Sequence, residues 1–391
     1  MLDRSRMSLE LTLRVAHSIA EVTAAAWDAC ANPGAPYNPF VSHAFLSALE
    51  SSSSVGGRAG WQPMHLLTSD SQGVLQGAVP CYVKSHSQGE YVFDHGWADA
   101  YERAGGSYYP KLQVSVPFTP VTGRRLLTQP QVHAEAVRGV LADALIDICN
   151  RIDASSVHVT FLPEGEWELL GSRGYLKRTH QQFHWINAGY DSFDGFLGAL
   201  SSRKRKIIRR ERADALAAGI TVHWLTGTDL TESVWDAFFK FYMQTGSRKW
   251  GRPYLTRAFF SSAGESLGER ILLIMAKRNG RWIAGALNFL GSDTLYGRHW
   301  GAVEHHPFLH FELCYYQAVQ YAIERRLARV EAGAQGEHKI ARGYLPTSTY
   351  SAHYIADTAL RRAVADFLKR ERNYVAAAEQ ELALAAPFRR G

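Results

Sequence analysis

Ala284-Gly-Ala-Leu-Asn288 and Gln76-Gly-Ala-Val-Pro80 are short, similar stretches in equivalent surroundings. The first lies on the second arm of an apolar hairpin spanning residues 271–289, which turns at Arg278-Asn-Gly280. An Asn-Gly pair tolerates the positive φ that a tight hairpin turn demands. The second lies on the later of two strand-like runs, 64–68 and 74–84, joined by the polar linker Ser-Asp-Ser-Gln-Gly. A further match comes in the same order: Asp94-His-Gly-Trp97 and Arg298-His-Trp-Gly301, each on or just after the next strand. Two matches in one order, within one pattern of elements, read as an internal duplication.

Working outward, the first half predicts helices over 24–30, 42–49 (Ser42 as N-cap), 132–151 and 166–170. The 132–151 helix is apolar at Val137, Leu141, Leu145 and Ile148. Strands are expected at 157–161 and 183–186, and residues 95–120, rich in Gly, Tyr and Pro, read as a loop. The second half repeats the order, with a helix at 232–241, the hairpin, a strand at 294–300, a helix at 311–326 and a strand at 330–332. A closing helix over 358–384 should pack Leu360, Val364 and Phe367 onto a domain. Asn187 to Ser192 has loop character, which divides the chain into domains 1–187 and 188–391. The expected fold is α/β (α+β): tandem domains, each with a mixed central sheet.

With 391 residues, 46% hydrophobic and 20% charged, the chain is globular and long enough for two cores. No apolar run is long enough for a membrane span, and residues 1–10 lack the apolar core of a secretory signal. Cys30, Cys81, Cys149 and Cys314 form no CxxC pair, as in proteins of a reducing compartment, so a cytoplasmic location is expected.

The order helix, hairpin, strand, helix, strand resembles the GCN5-related N-acetyltransferase fold. Its doubled form resembles the Fem-type aminoacyltransferases and, most closely, the FemAB-like group of N-acyltransferases. Three stretches carry this: Leu200-Ser-Ser-Arg-Lys-Arg-Lys-Ile-Ile-Arg-Arg210 running on to Ala218-Gly-Ile-Thr-Val222, Trp282-Ile-Ala-Gly-Ala-Leu287, and His338-Lys-Ile-Ala-Arg-Gly-Tyr344. The last is similar to a Fem motif in which a Lys precedes an aromatic-flanked Gly, and the resemblance implies that Lys339 acts on the acyl group. It also implies a donor that is an aminoacyl-tRNA or an acyl thioester, acyl-CoA or acyl-carrier, with no tightly bound cofactor. The acceptor would be a small-molecule or peptide amine, a cell-wall precursor among the possibilities. Arg298 to Val303 comes nearest to the pyrophosphate-cradling [RQ]xxGx[GA] pattern and departs from it at the last position.

Residues 203–212 hold seven cations, interrupted by Ile207, Ile208 and Glu211. On a helix, Arg203, Lys206 and Arg210 share one face, and Arg205, Arg209 and Arg212 another. Like charges four residues apart cost helix stability, which favours an anionic partner such as a phosphate or the tRNA part of a donor. The plain alternative is a solvated face. The stretch Glu331 to Tyr344 leaves a strand end through three glycines and carries Glu331, His338, Lys339 and Arg342. Glu331 or His338 would take the acceptor amine's proton, and Lys339 would steady the oxyanion at the acyl carbonyl.

His299, His305, His306 and His310 cluster with Glu304 and Glu312, but no HExxH or Cys pair accompanies them, so no metal is expected. His299 and Glu312 are the candidates to line the cleft. Asp94, His95, Trp97 and Tyr101 could form an acceptor pocket in the first domain, or a packed aromatic loop. No Cys or Ser occupies a nucleophile motif, so transfer would go by direct attack of the amine. The rival from another class is a non-catalytic nucleic-acid-binding protein using the basic helix.

Overall fold

A computed structural model describes residues 10–249, 253–333 and 336–389. Among these residues fifteen strands run in chain order as β1 (Thr12–Ala16), β2 (Trp61–Pro63), β3 (His65–Ser69), β4 (Leu75–Val79), β5 (Cys81–Lys84), β6 (Lys111–Val114), β7 (Leu127–Thr128), β8 (Ser156–Leu162), β9 (Leu176–Ile186), β10 (Thr221–Leu225), β11 (Ile271–Arg278), β12 (Arg281–Leu290), β13 (Thr294–Ala302), β14 (Arg329–Glu331) and β15 (Leu345–Ile355). The helices are α1 (Ala24–Ala31), α2 (His43–Ser51), α3 (His95–Arg103), α4 (Ala134–Arg151), α5 (Glu164–Ser172), α6 (Phe193–Ala199), α7 (Ser202–Leu216), α8 (Glu232–Lys249), α9 (Arg257–Leu267), α10 (Leu309–Phe311), α11 (Gln317–Glu324) and α12 (Thr358–Leu384).

Eleven strands form one mixed sheet in the order β10-β11-β12-β13-β14-β9-β15-β8-β6-β5-β2, and β1-β3-β4-β7 form a second, smaller sheet. The expected strand over 74–84 is therefore two. Pro80 offers no N–H for a ladder, and there the chain passes from the small sheet to the large one. The region 95–120, read as loop, contains α3 and β6.

The two halves repeat one order of elements and exchange their last strands. Each half has one parallel pair linked through helix: β6 with β8, and β13 with β14. The last strand of each half, β9 or β15, is eleven residues long. β9 does not pair with β8 of its own half but with β14, while β15 pairs with β8, and the two long strands pair with each other. Aligned end to end, β9 and β15 match at Leu176/Leu345, His184/His353, Trp185/Tyr354 and Ile186/Ile355. His184 faces Glu331 across β9·β14, and His353 faces His158 across β15·β8.

Alternation divides the sheet's two faces. On one, Leu112, Val114, Val157, Val159 and Ala352 pack with Val137, Leu141 and Leu145 of α4. On the same side, Phe183, Trp185, Leu295 and Val330 pack with Leu313, Ala318 and Ala322 around α11. The other face carries Gln113, His158, Thr160, Gln182, His184, Thr349, Ser351 and His353, all buried. α12 lies across β9 and β15. It buries Leu360, Val364 and Leu368 against Trp97 and Tyr108, while Phe367, expected in that stripe, stays 40% exposed.

Candidate active site

The parallel pair β13·β14 is short. It joins Thr294–Tyr296 to Arg329–Glu331, after which β14 ends and β13 continues to Ala302 against β12 alone. Ligands of parallel sheets gather at the carboxyl ends of such strands. Glu331 is the last residue of β14 and is buried. A register shift in β12·β13 takes the pairing from Asn288↔Gly297 to Leu287↔His299, leaving Arg298 as the extra residue of a bulge. Arg298 places Nη2 3.4 Å from the Glu331 carboxylate, donates Nη1 to the Gly297 carbonyl, and lies over the rings of Phe40 and Tyr296. Burial pulls its pKa down, and Glu331 opposes that.

The bulge also divides the neighbouring residues of β13 between two cavities. Arg298 and His299 line a small cavity at the junction of the two halves, with Phe40, Phe118 and Phe289. Burial, then the Arg298 charge, pushes His299 down to about 4. Trp300 and Ala302 instead line a cavity of about 560 Å³ with Phe308, His310 and Phe311. Its polar wall includes His306, which pairs with Glu304 at 2.9 Å, and Glu304 also takes Arg278. Among the described residues no three His, Cys, Asp or Glu side chains are grouped to hold a metal ion.

Beyond β14 the chain turns back through a 3-10 segment, Glu337–Arg342. Lys339 is buried there and donates its ammonium to the carbonyls of Ala332 (2.7 Å) and Gly333 (2.9 Å), bridging the turn to the end of β14. An ammonium has three N–H donors, so two are held by backbone. Burial pushes Lys339 down to about 8. His338 is exposed, with Nε2 3.0 Å from the Tyr315 hydroxyl and its ring beside Phe311, a wall of the larger cavity. Of the residues singled out in the sequence, Glu331 ends β14, and Lys339 and His338 stand on the turn that Lys339 ties to the two residues after it. Arg298 as a partner of Glu331, and His184 opposite it, were not foreseen.

Other expected residues have different employment. Glu312, expected in the cleft, is fully buried in a π-helical turn (Glu312–Tyr316), where a buried carboxylate needs a cation. Arg212 supplies it at 2.9 Å and also donates to Gln320, so it is not an outward phosphate ligand. Arg342 is buried against Glu211 at 2.9 Å, not free for substrate. Arg209 and Arg210 are exposed, with partners Asp194 and Asp214, and Arg205 donates to Ser202. Arg203 and Lys206 lie on the outer side of the helix, both exposed.

Asp94, His95, Trp97 and Tyr101 lie in the first half, around α3. Asp94 is buried, 2.5 Å from the Lys111 amine and 2.8 Å from the Tyr108 hydroxyl. Burial would raise its pKa, but the Lys111 and His158 charges outweigh that and hold the carboxyl below the usual range. Trp97 is core, against His158, His353 and Phe367. His95 is exposed, stacked on Phe93, and Tyr101 is half-buried beside Gly106. These four are packing and network residues and do not join the group at Glu331.

The duplicated α/β fold and the family that its sequence matches make the chain an acyltransferase. The chain belongs to the FemAB-like family, described as peptidoglycan biosynthesis/recognition, whose model matches residues 18–390. Its fold is similar to that of FemX, at 12% identity over 90% of this chain and 100% of that one (TM-score 0.56). It is also similar to L-PGS from Bacillus licheniformis, at 10% identity over 86% and 98% (TM-score 0.51). The C-terminal domain of a putative lysylphosphatidylglycerol synthetase from Agrobacterium fabrum is alike at 9% identity over 89% and 96% (TM-score 0.51). At these identities the likeness is one of fold. No curated protein gives a sequence match.

Proposed function

We propose that the protein transfers an acyl or aminoacyl group to an amine of a peptide-bearing cell-wall precursor, and that the reaction occurs at the end of β14. The observation that carries this reading is the bridge from Lys339 to the Ala332 and Gly333 carbonyls, directly after Glu331. It fixes a cation at the point where the parallel pair opens. The donor carbonyl enters that opening from the 560 Å³ cavity, and the remaining Lys339 N–H meets the oxygen that becomes negative. Glu331 accepts the amine's proton as the new N–C bond forms, and Arg298 keeps the carboxylate in place. The tetrahedral intermediate collapses by breaking the C–S or C–O bond to the carrier, and His338 returns a proton to the departing group.

The donor is an aminoacyl-tRNA or an acyl thioester, and the outward cations of α7 bind its phosphates. The acceptor approaches from the junction of the halves, past Arg298 and His299. The two functional units are residues 1–187 and 188–391, joined by the exchanged strands, and the enzyme works in the cytoplasm, where such donors are made. Among the described residues no helix is long and apolar enough to cross a membrane.

Incubating the purified protein with a muramyl-peptide precursor, in separate arms with aminoacyl-tRNA and with acyl-CoA, tests the reading by mass spectrometry. One added acyl mass on the acceptor amine is expected in one arm. Failure of both arms, and of a panel of other amines and acyl-carrier thioesters, would overturn it.

A further inference from the structure

Glu211 is the one carboxylate within the cation run 203–212, and it points inward. Both its oxygens accept from Arg342 Nη2 at 2.9 Å, and the Tyr316 hydroxyl donates to it as well. Arg342 closes the 3-10 turn that carries Lys339. Its other Nη donates to the His338 carbonyl at 2.8 Å, and its guanidinium lies 3.6 Å over the Phe311 ring. The next residue of α7, Arg212, holds Glu312 in the π-helical turn. Two consecutive residues of one helix therefore grip two walls of the site.

The turn needs such a grip. It sits between Gly336 (φ +110°) and Gly343 (φ +88°), two joints of unusual backbone freedom, and its 3-10 hydrogen bonds are weaker than α-helical ones. Ile340 seats the turn in the core, and besides the Tyr315–His338 contact its polar ties include the Lys339 bridge and the Arg342–Glu211 pair. The bridge belongs to the residue that has to be aimed. The pair is independent of it.

We infer that Glu211 is a positioning residue for acyl transfer: through Arg342 it sets the Lys339 turn against the donor cavity. This rests on the acyl-transfer reading of the site, and a loop displaced by about 1 Å can cost about a hundredfold in rate.

The test is Glu211→Gln in the full chain, followed by hydrogen exchange and by kinetics, with Glu211→Asp as the conservative variant. Exchange of residues 336–344 should rise about tenfold or more while the β11–β12 hairpin stays protected. The kcat should fall about ten- to hundredfold with donor KM unchanged, and Glu211→Asp should recover part of it. Unchanged exchange in the turn would overturn the inference. So would a uniform rise across hairpin, α7 and turn, which marks a merely structural pair. A wild type without turnover on any donor would sink the acyl-transfer reading, and with it the catalytic half of this inference. The exchange experiment still decides whether Glu211 holds the turn.

Discussion

The rings of His353 and His158 meet through their Nδ1 atoms at 2.7 Å, at the place in the first half where the second half sets His184 opposite Glu331. One Nδ1 must donate and the other accept, so the pair shares a single proton. Burial pushes His158 down to about 3 and His353 well below its usual value. The two places lie roughly 30 Å apart along the sheet, from about 3.3 Å per residue and about 4.8 Å per strand. In the first half the position of Glu331 is filled by a neutral imidazole, and its surroundings are closed by Lys111, Asp94 and Trp97. The duplication supplies two frames: the first is closed by these buried partners, whereas in the second a carboxylate ends the strand and Lys339 holds the two carbonyls that follow it.

That closed network should be a stability element. Asp94→Asn leaves the Lys111 ammonium short of a charge partner in the core, and is expected to cost about 3–5 kcal/mol in urea unfolding at pH 7. The folded Asp94 carboxyl titrates below its usual 3.8, so its stabilisation is complete above that value and is lost as pH falls through the folded pKa. The gap between wild type and variant should therefore narrow below pH 3.8. An equal gap at pH 7 and well below pH 3.8 would contradict this.

Lys339→Met removes the cation and keeps much of the stem. It should lower kcat by roughly 10²–10³-fold with little change in donor affinity. Because burial holds Lys339 near 8, the charged fraction declines above that pH, and wild-type kcat should decline with it. Lys339→Arg, always charged, should move that alkaline limb upward. A limb that stays in place in the arginine variant would assign the titration to another group.

Glu331→Gln keeps the shape and a hydrogen-bond acceptor for Arg298 but cannot take a proton. A loss of about 10²–10⁴ in kcat is expected, measured by single-turnover transfer at saturating donor. Ala302→Trp fills the larger cavity instead, and should raise donor KM by about tenfold or more with the fold intact. If donor KM is unmoved, the donor lies elsewhere.

Much of the second half was legible in sequence because its hairpin, 271–289, is apolar on both arms with an Asn-Gly turn. β15 went unread, although it lies at the middle of the large sheet. Leu345-Pro-Thr-Ser-Thr-Tyr-Ser-Ala-His-Tyr-Ile355 has polar residues at alternate positions, which ordinarily mark a solvent face, yet Thr349, Ser351 and His353 are buried. Residues 176–182 of β9 misled in the same way. The missed partners of Glu331 share this cause, since the exchanged strand that brings His184 there is set by long-range pairing, and Arg298 is aimed by a bulge. Composition carries no trace of either. The charge run was legible as a helix, but not that Glu211 and Arg212 point inward.

That inward turn changes how the basic helix should be probed. Arg203, Lys206 and Arg210 share the outer face of α7, whereas Arg212 is tied to Glu312. If the outer face binds the phosphates of the donor's carrier, replacing Arg203, Lys206 and Arg210 together by Ala should weaken donor binding. It should also flatten its dependence on salt, because fewer counterions are released on association. Arg212→Ala should behave differently. It leaves the buried Glu312 carboxylate without its cation, so it should lower stability and kcat while the salt slope stays near that of wild type. Binding measured by fluorescence anisotropy between about 50 and 200 mM salt separates the two outcomes, since counterion release gives a steep slope over that range. A triple variant with an unchanged slope and unchanged donor KM would make the outer face of α7 a solvated surface and leave carrier recognition to the cavity alone.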